Sequence, residues 1–205
     1  MGELVQVSPS HAPGTVTDEA RAVDRRRAEA AVRNLLDALG VDLGAEDVAE
    51  TPRRVARMYE ELLTPRPFNP TTFANEDRYD ELVIARDIPF VSLCAHHMLP
   101  FHGVAHVGYL PGDRIVGLSK LARVVTYFAR SLQVQERLTK QVAEWLDDEL
   151  RPRGAGVVIR ATHQCMTIRG VQAAGSTTVT SAMSGLLRES LSTREEFLAL
   201  CGERS

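Results

Sequence analysis

The sequence predicts an α+β fold in which N-terminal helices precede an antiparallel sheet, and three observations support this prediction. Apolar residues recur at three- and four-residue steps over residues 18–39 and 51–63, a spacing typical of helices. From residue 82 onward, short runs rich in β-branched residues alternate with turn signals, which is typical of strands. Two further segments with helical periodicity interrupt these runs. The chain is therefore expected to combine a helical lobe with a sheet domain.

The composition is that of a globular chain with reduced cysteines. The 205 residues are 44% hydrophobic, and 24 basic and 27 acidic side chains give a formal net charge of −3. This balance creates no overall attraction to nucleic acid or to a membrane, so neither is expected as a partner. Three cysteines cannot form a closed set of disulfides, and no apolar run approaches transmembrane length. We therefore expect a cytoplasmic location.

The first 70 residues are expected to form a flexible tail and a helical lobe. Residues 1–17 contain proline, glycine and serine without hydrophobic periodicity, which is typical of a tail. A helix should begin near Asp18 and end at Gly40, since glycine commonly caps helix C-termini. Thr51 should cap a second helix that has proline in its first position. The proline-rich stretch 64–70 cannot continue a helix, so the lobe is predicted to span 18–70 and the sheet domain 71–205.

The sheet domain is predicted element by element from the same signals. Apolar runs predict antiparallel strands at 82–84, 90–93, 104–110 and 115–118, the last two joined by a turn at 111–113. Helical periodicity predicts helices over 119–131 and 134–150. Later strands are expected at 157–166 and near 177–182, followed by a helix that a capping box opens at Thr193.

Cysteine and histidine occur together twice, and this pairing is the pattern most indicative of chemistry. Cys94, His96 and His97 end one apolar run, and His163 and Cys165 lie in a later one. Thiolate and imidazole are the ligands that hold zinc, and three protein ligands leave a fourth position open for water or substrate. If residues 157–166 form a strand, His163 and Cys165 project from the same face. The sequence therefore predicts a catalytic zinc site.

Each of these residues alone would usually be structural, since buried cysteines act as small hydrophobes and histidines find hydrogen-bond partners. Together, two thiolates and one imidazole would neutralise Zn²⁺, so Cys94, His97 and Cys165 are predicted as the ligands. His96 and His163 are then left to transfer protons near neutral pH. The remaining histidines and cysteine are assigned no part in the site; they are His11, His102, His106 and Cys201.

Basic residues between and after the cysteine–histidine pairs suggest an anionic ligand. Lys120 and Arg123 begin a predicted helix, where cations are disfavoured by the helix dipole unless they bind a ligand such as phosphate. Arg169 would add a third cation near Cys165. Gln135 and Glu136 begin the next helix, where spacing favours an ordinary capping role and a guanine contact is the alternative.

Five strings in order resemble those of the GTP cyclohydrolase I family, over roughly residues 45 to 200 of the chain. The strings are Cys94-Ala95-His96-His97, GLSKLAR at 117–123, QVQERLT at 133–139, His163-Gln164-Cys165-Met166 and Arg169-Gly170-Val171. The resemblance implies a T-fold, in which an antiparallel sheet carries two helices on one face and sheets of several subunits close a barrel. It also implies a homodecamer of two pentamers with active sites between subunits.

The resemblance implies that the chain converts GTP and water into 7,8-dihydroneopterin triphosphate and formate, the first step of tetrahydrofolate and pterin biosynthesis. A zinc-activated water attacks C8 of guanine, after which ring opening, an Amadori rearrangement and ring closure follow. Zinc would be held by Cys94, His97 and Cys165, as inferred above. The implied acid–base residues are His96, His163 and Ser119, and the implied substrate contacts are Gln135 and Glu136 for guanine and Lys120, Arg123 and Arg169 for the triphosphate.

One residue departs from the pattern of the family, which usually has glutamate where this chain has Ala95. The change removes a carboxylate beside a metal ligand, where it could orient neighbouring groups. Two alternatives to full activity remain open: a zinc-stabilised purine or pterin binding protein of the same fold without turnover, or a paralogue that stops at the ring-opened intermediate. Retention of both non-ligand histidines argues against the binding protein.

Overall fold

The computed structural model describes residues 23–202 of the chain. The tail predicted at 1–17 and the helix start predicted near Asp18 lie outside these residues. Helix α1 spans Arg25–Ala38 and packs against α2, which spans Thr51–Leu63. Gly40 follows α1 with a φ of 75°, a left-handed conformation that glycine adopts without steric cost, so the predicted helix end is confirmed.

Thr51 does not cap α2, contrary to the prediction. The helix begins at Thr51, and Glu50 occupies the N-cap position without a side-chain hydrogen bond. The prediction failed because the Thr51 hydroxyl accepts a hydrogen bond from the Arg54 guanidinium, at 3.2 Å, instead of one from a backbone amide. Pro52 still lies in the first turn, where its missing N–H has no helical partner to lose.

Seven strands and five further helices complete the described chain. They are β1 (Thr72–Ala74), β2 (Val83–Cys94), β3 (Pro100–Leu110), β4 (Arg114–Val116), α3 (Leu118–Ala129), β5 (Leu132–Gln133), α4 (Gln135–Leu150), β6 (Gly154–His163), α5 (Gln164–Thr167), β7 (Thr178–Met183), α6 (Leu186–Glu189) and α7 (Leu191–Leu200). The α+β class is therefore confirmed, and α3 and α4 lie within two residues of their predicted bounds.

The main sheet has five strands in the order β5-β2-β3-β6-β7, and every pairing is antiparallel except that of β2 with β5. The runs predicted as separate strands at 82–84 and 90–93 both belong to β2, whose register shifts between Ala85 and Ile88. The strand predicted at 115–118 corresponds to β4, which pairs with β1 in a separate two-stranded sheet. It cannot pair with β3, because β2 and β6 already occupy both edges of that strand.

Helices cover both faces of the main sheet and position the strand ends. The larger core lies between α3, α4 and one face of the sheet, where Phe101, Val157 and Ile159 are fully buried. A smaller core on the other face joins Val158 to Phe197 of α7. Ser190 rather than Thr193 caps α7: its hydroxyl accepts a hydrogen bond from the Thr193 amide, since the helix begins at Leu191, earlier than predicted.

Within residues 23–202, no helix combines the length and apolar character that crossing a membrane requires.

Candidate metal centre and active site

The loop between β2 and β3 presents one side of the candidate site. Backbone hydrogen bonds close this loop: the Cys94 amide donates to the Leu99 carbonyl at 2.9 Å, and the Met98 amide donates to the Cys94 carbonyl at 2.8 Å. Cys94 is consequently buried at the strand end, whereas His96 and His97 are exposed on the turn that follows. The turn allows the side chains of Cys94 and His97, three residues apart, to face a common position where a metal ion could bind.

The structure brings the three predicted metal ligands together. The Sγ atoms of Cys94 and Cys165 are 3.8 Å apart, and His97 Nδ1 lies 3.9 Å from Cys94 Sγ. The ligand atoms of all three residues lie within 4.8 Å of one another. Tetrahedral zinc with bonds of about 2.3 Å to sulfur holds two thiolates about 3.8 Å apart, so this set of donors fits zinc. Three donors leave a fourth tetrahedral position open.

Cys165 reaches this centre by a route that the sequence prediction missed. β6 ends at His163, and Cys165 lies in the single helical turn α5 rather than on an extended strand. The predicted strand stops there because neither neighbour continues: β3 begins beside this point, and β7 pairs with β6 only as far as Ala161. The helical turn α5, rather than the alternation of side chains along a strand, therefore directs the Cys165 thiol towards Cys94.

The environment of Cys165 favours a neutral thiol until a cation binds. Burial raises the pKa of this thiol, and the hydrogen bond and charge of Cys94 raise it further, while the positive charge of Arg169 lowers it. Zinc binding must therefore displace the proton, as is usual for thiolate ligands. The effect of Arg169 places a predicted triphosphate contact near the metal ligands.

The two histidines predicted to transfer protons differ in their surroundings. His96 is exposed on the loop, and its Nδ1 lies 3.8 Å from Cys94 Sγ. His163 is half-buried, and its ring lies parallel to that of Phe101 with centroids 4.6 Å apart. Burial lowers the pKa of His163, and the charge of Glu136 partly offsets this effect. Neither histidine belongs to the three-residue group of donors.

Gln135 joins His163 to the sheet. Its Oε1 lies 2.8 Å from His163 Nε2, and its Nε2 donates to the Ile159 and Thr178 carbonyls, both at 3.0 Å. Gln135 is 2% exposed, whereas Glu136 is exposed in the first turn of α4. Val134 holds the N-cap position of this helix without a side-chain hydrogen bond, so the capping role that spacing favoured for Glu136 is not seen.

The other predicted substrate contacts lie at the start of α3. Ser119 and Arg123 are exposed and Lys120 is half-buried, which leaves their polar groups accessible to a ligand. In residues 23–202, no hydrogen bond or ion pair joins these three side chains to the metal ligands. Phe101 is the residue of the site that sequence reasoning missed, because only the pairing of β3 with β6 brings it beside His163.

Comparisons with known proteins identify the family of the chain. The profile of the family described as GTP cyclohydrolase I matches residues 28–202. The GTP cyclohydrolase 1 of Mycolicibacterium paratuberculosis is 48% identical over 194 residues, covering 92% of this chain and 95% of that protein. The GTP cyclohydrolase 1 of Aquifex aeolicus is 49% identical over 179 residues, covering 87% of this chain and 97% of that protein. With 48% identity, the GTP cyclohydrolase 1 of Carboxydothermus hydrogenoformans covers 89% of this chain and 97% of its own length.

The family match covers the described sheet, helices α3 and α4 on one of its faces and all three candidate metal ligands. The relatives match nearly their full lengths at close to half identity, so the likeness extends well beyond the residues of the site. The chain belongs to the GTP cyclohydrolase I family, a family of enzymes.

Proposed function

We propose that the chain is a zinc-dependent GTP cyclohydrolase I, which converts GTP and water into 7,8-dihydroneopterin triphosphate and formate. The product would enter tetrahydrofolate and pterin biosynthesis. The observation that carries this proposal is the grouping of Cys94, His97 and Cys165 beside two histidines that the metal does not need. A purely structural zinc site would use all four positions and would not require free acid–base groups beside it.

Bound zinc supplies a Lewis acid that makes a water molecule acidic near neutral pH. His163 gives a proton to N7 of guanine while water adds at C8, and the imidazole ring opens when a C8–N bond of this hydrate breaks and the departing nitrogen takes up a proton. His96 and Ser119 are exposed and can exchange protons with substrate and solvent, and we assign them the proton transfers that open the ribose. Ring opening, loss of formate, the Amadori rearrangement and ring closure then complete the reaction.

Charge complementarity supports the proposed substrate contacts. Glu136 is exposed and acts electrostatically on His163, so its carboxylate can accept hydrogen bonds from the N1–H and amino group of a guanine held at that ring. Gln135 lies beside it at the same end of α4. The triphosphate would be held by Lys120, Arg123 and Arg169, of which Arg169 already acts on the Cys165 thiol.

The proposed assembly is a T-fold decamer of two pentamers, with active sites between subunits. Large apolar side chains that would otherwise face water support an extended subunit interface. They include Leu35, Leu39, Leu118, Ile168, Val171 and Leu191, which are 58–72% exposed. The proposed location is the cytoplasm, where the ligand thiols stay reduced. Sedimentation velocity on the zinc-loaded protein tests the assembly, and a monomer at micromolar concentration would contradict it.

The function is tested by incubating metal-analysed protein with GTP and following formate release and pterin absorbance in the same sample. Formate with a pterin chromophore supports the full reaction despite Ala95. Formate without pterin would mean that the reaction stops after ring hydrolysis. If zinc-loaded protein yielded neither product, the alternative of a purine or pterin binding protein would replace the proposal.

A further inference from the structure

We propose that Gln135 is a positioning residue that fixes His163 in the tautomer protonated at Nε2, so that proton exchange with the substrate takes place at Nδ1. This inference rests on the proposed function and refines the role of one predicted substrate contact. It follows from the orientation of one side-chain amide, which the surrounding acceptors determine.

The amide nitrogen of Gln135 faces only hydrogen-bond acceptors or groups that can accept. The Ile159 and Thr178 carbonyls lie 3.0 Å from this nitrogen, and Thr180 Oγ1 lies 3.1 Å from it. Turning the amide over would place its oxygen against two carbonyl oxygens, which cannot donate a hydrogen bond. The amide oxygen must therefore point towards His163, whose Nε2 lies 2.8 Å away.

An amide oxygen only accepts, so Nε2 of His163 must carry a hydrogen. A neutral imidazole carries one hydrogen, so the proton that reaches guanine N7 must pass through Nδ1. This nitrogen has no hydrogen-bond partner among residues 23–202. During the reaction Nδ1 takes a proton from the attacking water and releases it to N7, while the hydrogen on Nε2 stays with Gln135. Protons balance, and the ring returns to its starting tautomer.

The polar groups of Gln135 are also occupied by the protein. Its oxygen accepts a hydrogen bond from His163, and its nitrogen donates hydrogen bonds to backbone carbonyls of β6 and β7. The side chain is 2% exposed. Glu136, the next residue of α4, is exposed and makes no hydrogen bond within the described chain. We therefore assign guanine recognition at this end of α4 to the carboxylate of Glu136, and the orientation of the acid–base group to Gln135.

The tautomer can be measured directly by solid-state ¹⁵N NMR on zinc-loaded protein with labelled histidines, the His163 signals being identified by their loss in His163→Ala. We expect protonated Nε2 and unprotonated Nδ1 at neutral pH in the wild-type chain. In Gln135→Met, which keeps a similar volume without hydrogen-bonding groups, we expect a mixture of tautomers. Protonated Nδ1 with bare Nε2 in the wild type would overturn the inference, whether or not the chain turns over GTP.

Kinetics separate positioning from substrate contact. Gln135→Met should lower kcat by about 10- to 100-fold, the usual effect of a misplaced catalytic group, with little change in KM. In a His163→Ala background the same substitution should cause no further loss of rate, because Gln135 acts through His163. An additive loss would contradict the inference. If Gln135→Met does not fold, Gln135→Asn, whose amide is one methylene shorter, takes its place in both experiments.

Binding of GTP to the slow His163→Ala protein supplies the matched comparison. Adding Gln135→Met should leave the Kd for GTP within about twofold, whereas adding Glu136→Gln should raise it by about tenfold, as loss of a charged hydrogen bond does. An equal rise for both would assign Gln135 to guanine and overturn the positioning role. Absence of formate and pterin from wild-type reactions would reject the proposed function, and these binding and NMR results would still decide the role of Gln135.

Discussion

The imidazole of His163 lies flat against the ring of Phe101, with centroids 4.6 Å apart and planes inclined by 1°. The two residues are cross-strand partners at the start of β3 and the end of β6, and Phe101 is fully buried. The sheet therefore fixes the plane of the imidazole, while the hydrogen bond to Gln135 fixes its rotation within that plane. If His163 transfers protons as proposed, these two constraints would present its ring to the substrate in one orientation.

His163→Ala should remove this group without removing the metal. We expect full zinc content and a kcat lowered by about 10²- to 10⁴-fold, the range typical of general acid–base catalysis. Metal analysis and formate release check both outcomes on one sample. His102→Ala, which removes an exposed histidine of β3, is the matched control and should keep both zinc and rate. Loss of zinc from His163→Ala would show that this residue is a ligand.

Cys165→Ser should lose zinc and activity together, because a serine hydroxyl is a far weaker zinc ligand than a thiolate. Inductively coupled plasma mass spectrometry and the formate assay measure the two losses. Cys201→Ser, which changes a buried cysteine in the smaller core, should keep its zinc. Retention of zinc by Cys165→Ser would refute the assignment of ligands.

Glu136→Gln should weaken the selection of guanine. The carboxylate can accept from both the N1–H and the amino group of the base, and an amide lacks its negative charge. We expect the ratio of kcat/KM for GTP to that for inosine triphosphate, which lacks the amino group, to fall by about tenfold. An unchanged ratio would remove Glu136 from guanine recognition.

Ala95→Glu should keep zinc and change the kinetic constants. The Ala95 amide donates to the Gln133 carbonyl at 2.8 Å, so the backbone here is held by β5 whatever the side chain. A new carboxylate would lie beside Cys94 and His96, where groups that surround metal ligands commonly alter activity by about 10- to 100-fold. Steady-state kinetics and zinc analysis provide the test, and loss of metal would contradict it.

Asp147→Asn should raise stability at neutral pH and leave it nearly unchanged in acid. Burial raises the pKa of Asp147, although the hydrogen bond that its carboxylate accepts from Ser184 at 2.6 Å partly offsets the effect. A carboxyl whose folded-state pKa is raised stabilises the fold at pH values below its unfolded pKa, and that contribution is lost as pH rises through the folded pKa. Asparagine keeps an oxygen that can accept the hydrogen bond from Ser184. It does not ionise, so the variant does not lose this stability as pH rises.

The Asp147 prediction is checked by melting temperatures of the variant and the wild type from about pH 3.5, just below the unfolded carboxyl pKa, to pH 7. The difference between the two proteins should grow as pH rises through and above the ordinary carboxyl range. A difference that stays constant with pH would mean that burial of the Asp147 charge does not affect stability.

The sequence was sufficient to predict which three side chains the structure brings together as candidate metal ligands, because residue chemistry limits the choice. Only three cysteines exist in the chain, and two of them lie beside histidines. The bounds of α3 and α4 were likewise predictable, since apolar periodicity and proximity to turns determine both. These features depend on residues that are close together in sequence.

Long-range pairing explains what the sequence did not reveal. The partners of Gln135 come from β6 and β7, 24 to 45 residues away, and no local pattern indicates that they converge. The end of β6 at His163 depends on where β3 and β7 stop, and the pairing of β4 with β1 depends on the edges of β3 being occupied. Such features can be predicted only when the pairing of all strands in the sheet is known.

Cys94 and Cys165 are 71 residues apart in the chain, and a metal bound to both thiols is a cross-link that closes a loop of this length. A disulfide over such a loop restricts the unfolded chain by about 4 kcal/mol, and a strong metal bridge acts in the same sense. The ion would thus tie the end of β2 to the turn after β6. A chelator should lower the melting temperature as well as stop turnover. The metal centre would then stabilise the fold in addition to taking part in the reaction.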